Sequence, residues 1–135
     1  MHVLMDREKW SESSKRSFAY SGSSMTCYEN ISYRCRKCSQ PSVFTAEEQK
    51  IAHEIRKEYI WRRKTLCSDC YSNLELLRNK EKQFQEEWAE NKEVLKTDYK
   101  FLCAWLVVLE DVPSYGKKAH FSMITMLTRL AHECI

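Results

Sequence analysis

Apolar positions in the second half of the chain recur at helical spacing. Leu74, Leu77, Phe84, Trp88, Leu95, Leu102, Leu106 and Leu109 stand three, four or seven residues apart, with charged residues between them. That repeat places apolar side chains along one stripe of a helix. It predicts one long helix, or two with a break near residues 89–92. Pro113 and Gly116 then mark a turn, after which Phe121, Ile124, Leu127, Leu130, Ala131 and Cys134 resume the helical period. Residues 71–135 are therefore expected to form a helical hairpin.

The first half follows a different pattern. Ser21, Gly22, Ser23 and Ser24 interrupt the apolar pairs Phe18/Tyr20 and Ile31/Tyr33, so residues 1–32 read as a loose lead-in that ends in a short hairpin. Further on, Thr45 can cap a helix while Glu48, three residues later, reaches back to it, which is a capping box. A helix should then begin at Ala46, carry Ile51, Ile55 and Tyr59 on one face, and run toward Trp61 before the chain turns back at Leu66. The expected fold is mainly α: a small lobe over residues 33–70 that holds this helix, followed by the helical hairpin packed on it.

Composition narrows this picture. The chain has 135 residues, only two glycines and two prolines, which suits one compact domain with continuous helices and few flexible linkers. Its longest apolar run, Phe101–Leu109, is nine residues, half of what a membrane span needs, so no membrane association is expected. The start of the chain turns charged at Asp6 and lacks the apolar core of a secretory leader. A reducing, cytoplasmic setting is expected, and seven cysteines are many for such a compartment.

Four of the seven fall into two CxxC pairs, Cys35-Arg-Lys-Cys38 and Cys67-Ser-Asp-Cys70, separated by 28 residues. A CxxC turn aims two sulfurs at one point, and two such turns complete a tetrahedral thiolate shell around one structural zinc ion. Disulfides, a redox CxxC or unrelated thiols are the alternatives, and iron is a variant of the metal reading. A filled four-thiolate zinc site would also reduce the formal charge from +3 to about +1, so net charge says little about partners.

The motif Tyr33-Arg-Cys-Arg-Lys-Cys38, then Val43-Phe-Thr-Ala-Glu-Glu-Gln49, then Cys67-Ser-Asp-Cys70 resembles the small bacterial "probable zinc-ribbon" domain family. The resemblance covers residues 33–70, so that lobe is expected to be zinc-ribbon-like, with zinc knuckles flanking a helix and the helical hairpin following it. That family shows an aromatic residue two before its first cysteine, a Phe-Thr-x-x-Glu-Gln box and a closing CxxC. The resemblance implies that Cys35, Cys38, Cys67 and Cys70 ligate zinc, and it implies no reaction. Ser39 stands where the family usually has glycine, and Trp61-Arg-Arg-Lys-Thr-Leu66 replaces its Pro-rich approach to the third cysteine.

Other chemistry is sparse. His53-Glu54 and His132-Glu133 each lack the second histidine of a metalloprotease helix and read as ordinary helix residues. Cys103 and Cys134 fall on apolar stripes and read as core residues, while Cys27 sits in the lead-in. Two glycines cannot build a phosphate loop, and no catalytic residue is expected. Arg56, Lys57, Arg62, Arg63 and Lys64 interleave with Tyr59 and Trp61, the mixture that meets phosphates and stacks bases or anchors a protein interface. Two functions follow. The first is a non-enzymatic protein-binding module, for example an immunity or antitoxin protein that covers a toxin. The second is a nucleic-acid-binding or transcription-associated zinc ribbon in which Arg36, Lys37 and the 56–64 cluster touch the phosphate backbone.

Overall fold

A computed structural model describes residues 3–135; Met1 and His2, the first residues of the expected lead-in, lie outside them. The chain is mainly helical with two small antiparallel sheets. It divides into two compact units: the segment through Cys35 with Ser39–Cys67, and Arg36–Cys38 with Ser68–Ile135.

In the first unit, β1 (Val3–Leu4) pairs with β2 (Cys27–Tyr28). Between them run a short 3-10 turn and two single-turn helices, α1 (Glu12–Lys15) and α2 (Phe18–Ser21). Ser11 caps α1 by accepting the Ser14 N–H at 3.2 Å, as a serine at that position should. Trp10, Ala19, Tyr28 and Ala46 form a common core. The segment expected to be a loose lead-in thus supplies three of these four buried residues.

The hairpin of this unit is β3 (Ile31–Arg34) with β4 (Pro41–Phe44), in the register Ile31 to Phe44 and Arg34 to Pro41. Directly after it comes α3 (Ala46–Lys50). Thr45 caps the helix as expected: the Glu48 N–H donates to Thr45 Oγ1 at 3.2 Å, and the Glu48 carboxylate reaches back to accept the Thr45 hydroxyl at 3.0 Å. Asn30 Oδ1 accepts the Ala46 N–H at 2.8 Å and satisfies another donor of the first turn.

α3 widens into a π-helical turn over Ile51–Ile55 and ends at Arg56, with Lys57 left-handed at φ 59°. It does not reach Trp61. Buried Ala46, Gln49 and His53 recur at three- and four-residue spacing and mark the inner face, so Ile51 and Ile55 fall opposite it. Ile51 and Ile55 are 47% and 71% exposed, while Gln49, Ala52, His53 and Glu54 are buried. Side-chain hydrogen bonds on the inner face, described below, make this polar interior sustainable.

In the second unit the helical period holds. α4 (Ser68–Leu95) is interrupted by non-helical backbone at Asn91 (φ −131°, ψ 33°), within the expected break. α5 (Tyr99–Asp111) starts at Asp98, which accepts the Phe101 N–H at 3.1 Å. A 3-10 turn over Val112–Tyr115 leads through left-handed Gly116 to α6 (Phe121–Glu133). All eight residues of the predicted stripe are buried or half-buried. Phe121 is not: it is 73% exposed at the first position of α6.

The core of this unit is Phe101, Leu102, Trp105, Leu109, Leu127 and Ala131. Phe84 stacks on Trp105 (centroids 6.0 Å, 12°) and Trp88 on Phe101 (6.5 Å, 4°). Such aromatic pairs add about 0.5–1.5 kcal/mol beyond area burial. The Trp105 indole N–H has no hydrogen-bond partner among the described residues.

Candidate metal centre

The first CxxC occupies the loop that joins β3 to β4. The Cys35 N–H donates to the Gln40 carbonyl at 2.9 Å, and the Ser39 N–H donates back to the Cys35 carbonyl at 2.9 Å. These two bonds close a tight turn, and Ser39 adopts the left-handed region at φ 64° to complete it. Arg34 Nη1 donates to the Ser39 carbonyl at 2.6 Å.

The second CxxC begins a helix. Cys67 stands immediately before α4, and Cys70 lies in its first turn. Tyr33, the aromatic residue two before Cys35, donates its hydroxyl to the Leu66 carbonyl at 2.9 Å. That bond fixes the chain immediately before Cys67.

The sulfur atoms of Cys35, Cys38, Cys67 and Cys70 all lie within 4.8 Å of one another. Four thiolates at the 2.3 Å zinc–sulfur distance would stand roughly 3.8 Å apart at the corners of a tetrahedron, so small side-chain movements suffice to bind one metal ion. Cys35 and Cys70 are buried, Cys67 is half-buried and Cys38 is exposed. All four cysteines expected to be ligands are brought together, and Cys27, Cys103 and Cys134 lie outside the cluster. The Cys134 thiol donates to the Leu130 carbonyl at 3.2 Å, and both Cys103 and Cys134 pack against the helical core.

The two basic residues inside the first knuckle are engaged. Lys37 donates to Ser114 Oγ at 2.9 Å and lies over the Tyr115 ring. Arg36 runs alongside Gly116, where an added Cβ would come within 2.6 Å of the guanidinium stem.

Most of the 56–64 cluster is engaged too. Glu58 pairs with Arg56 at 2.9 Å and with Arg62 at 3.7 Å, and Glu48 pairs with Lys64 at 3.4 Å. Lys57 donates to the Lys9 carbonyl. Arg63 has no ion-pair partner among the described residues, and Trp61 is 48% exposed.

One polar network was not visible in the sequence. Glu54, 4% exposed, accepts the Tyr28 hydroxyl at 2.8 Å, the Asp6 N–H at 3.2 Å and the Lys50 ammonium at 3.0 Å. The Trp10 indole N–H donates to the same Tyr28 oxygen at 2.9 Å. Burial alone would push the Glu54 carboxyl up, but the donors from Lys50, Tyr28 and Asp6 outweigh it and leave it below the ordinary value. Burial drives the Tyr28 hydroxyl up and the neighbouring His53 imidazole down. The sequence offered only a Glu four residues after Lys50, in the His53-Glu54 pair that reads as ordinary helix residues. His132 and Glu133 are exposed on α6.

No family model, curated protein or solved structure matches the chain. No helix among the described residues is long and apolar enough to cross a membrane.

Proposed function

We propose that the chain is a zinc-stabilised, non-enzymatic protein-binding module. The metal is zinc because two CxxC turns offer four soft thiolates in a tetrahedral set. Such a shell leaves no open position for water or substrate, so the ion holds the fold and catalyses nothing. The same motif supports membership of the "probable zinc-ribbon" family, and a small module of this kind acts in the cytoplasm.

The observation that carries the protein-binding reading is a run of exposed apolar side chains on α3 and in the turn that follows it. Ile51, Ile55, Tyr59 and Trp61 are each between 43% and 71% exposed. Exposed apolar and aromatic side chains this close in sequence suit a protein interface, where Trp, Tyr and Arg are the usual anchors. A stand-alone binder that shields the active site of a toxin, as an immunity or antitoxin protein does, is the role that suits such a face. The nucleic-acid reading loses support because Glu48 and Glu58 already neutralise Arg56, Arg62 and Lys64.

The test is native mass spectrometry of gently purified protein, followed by the partner's affinity for Ile55→Glu. The expected result is one zinc and a protein partner, with at least tenfold weaker binding by the variant, because a charge is then forced into an apolar contact. Co-purifying nucleic acid whose affinity falls about a thousandfold between 50 and 200 mM salt would replace this reading with the transcription-associated one.

A further inference from the structure

A cavity of about 340 Å³ lies within the first unit, at the lower end of the roughly 300–1,000 Å³ range of small-molecule sites. Its inner wall is buried: Trp10, Tyr28 and Phe44, together with Gln49 and His53, are each at most 6% exposed. Its mouth is formed by exposed residues, Trp61 and Arg63 among them.

Two of the buried polar groups each keep one acceptor atom unused. Gln49 Nε2 donates to both the Glu29 and the Phe44 carbonyls, which uses its two N–H bonds and leaves Oε1. His53 Nδ1 lies 3.2 Å from the Glu58 carbonyl; a carbonyl only accepts, so Nδ1 carries the hydrogen and Nε2 holds a free lone pair. Neither Oε1 nor Nε2 has a partner among the described residues, and neither is sealed from solvent.

The charge of the lining has one sign. Arg7, Arg62, Arg63 and Lys64 contribute to it, and no Asp or Glu does. Arg62 and Lys64 are paired to carboxylates, but Arg7 donates only to the Tyr20 and Met25 carbonyls, so its charge is uncompensated, as is that of Arg63.

An occupant that matches this lining combines an aromatic body to meet Trp10, Tyr28 and Phe44, hydrogen-bond donors for the two acceptors and an anionic group for the basic residues. A fatty or aryl carboxylate lacks the donors and would leave two buried acceptors unpaired, which is costly. We propose that this cavity is a mononucleotide site. The base sits among Trp10, Tyr28 and Phe44 and donates to Gln49 Oε1 and His53 Nε2. Trp61 stacks near the entrance, and the phosphate meets Arg63 and Arg7.

The test uses the ¹⁵N-labelled, zinc-loaded full chain, with the indole N–H signals of Trp10 and Trp61 followed by NMR. AMP, GMP, CMP and UMP are titrated separately, with adenosine and inorganic phosphate as controls. At least one nucleotide should shift both indoles with saturation, its nucleoside binding about tenfold more weakly and phosphate alone giving no shift. Arg63→Gln, a change at an exposed side chain that leaves folding intact, should weaken the nucleotide about tenfold, the scale of one charge-assisted hydrogen bond. The proposal is overturned if none of the four perturbs the indoles, if phosphate alone reproduces the shifts, or if Arg63→Gln leaves the affinity unchanged. It does not depend on the protein-binding reading, because the titration is made on the chain alone with no protein partner present.

Discussion

The Ser39 N–H donates to the Cys35 carbonyl at 2.9 Å while Ser39 itself is held at φ 64°. The turn that aims Cys35 and Cys38 together is thus closed by a residue in the left-handed region, where a Cβ costs roughly 1–2 kcal/mol and glycine avoids that cost. Ser39→Gly should therefore raise stability by about 1 kcal/mol, and Ser39→Val should lower it, because β-branching suits this region least. Denaturant midpoints of the metal-loaded proteins measure both. A destabilised glycine variant would mean that the serine side chain contributes more than its backbone strain removes.

Glu54 makes unit one sensitive to acid. Its carboxyl is held below the ordinary 4.5 and the His53 imidazole below the ordinary 6.5. In both cases the unfolded chain binds the proton more readily than the folded one, so stability rises with pH across each window. The His53 contribution is complete above about 6.5 and fades as pH falls below it; that of Glu54 is complete above about 4.5 and fades beneath. Glu54→Gln should cost about 1.5–3 kcal/mol at pH 7, the range for hydrogen bonds to a charged group, and the gap to wild type should narrow below pH 4.5. A gap that stays constant down to pH 3 would count against the network.

Thr45 is the clearest helix signal in the first half, and its role is testable by itself. Thr45→Ala removes the acceptor of the Glu48 N–H and should cost about 1 kcal/mol. Hydrogen exchange of the α3 amides should accelerate while that of α5 and α6 is unchanged. Equal acceleration everywhere would show that α3 does not open separately.

The helices of the second unit were legible because a single apolar stripe decides them. Leu74 through Leu109 keep their spacing across the break at Asn91, and all of them turn inward. The cysteine cluster was legible for a similar reason, since CxxC spacing is itself a local geometric constraint. The orientation of α3 was not. Ile51 and Ile55 share an apolar face by period, but the buried face is the opposite one, through Ala46, Gln49 and His53, where the bonds converging on Glu54 stabilise a polar interior. Those partners, Asp6, Trp10 and Tyr28, are more than twenty residues away, beyond any periodic signal. The same distance hid the core role of the N-terminal segment.

The most direct test of the zinc account is the metal content of the purified chain, read together with its fold before and after chelation and in Cys67→Ser. One zinc per chain is expected, and removing it or one ligand should abolish tertiary structure, because structural zinc contributes folding free energy directly. A chain that is fully folded without metal, or one whose four cysteines prove to be disulfide-bonded, would contradict the account.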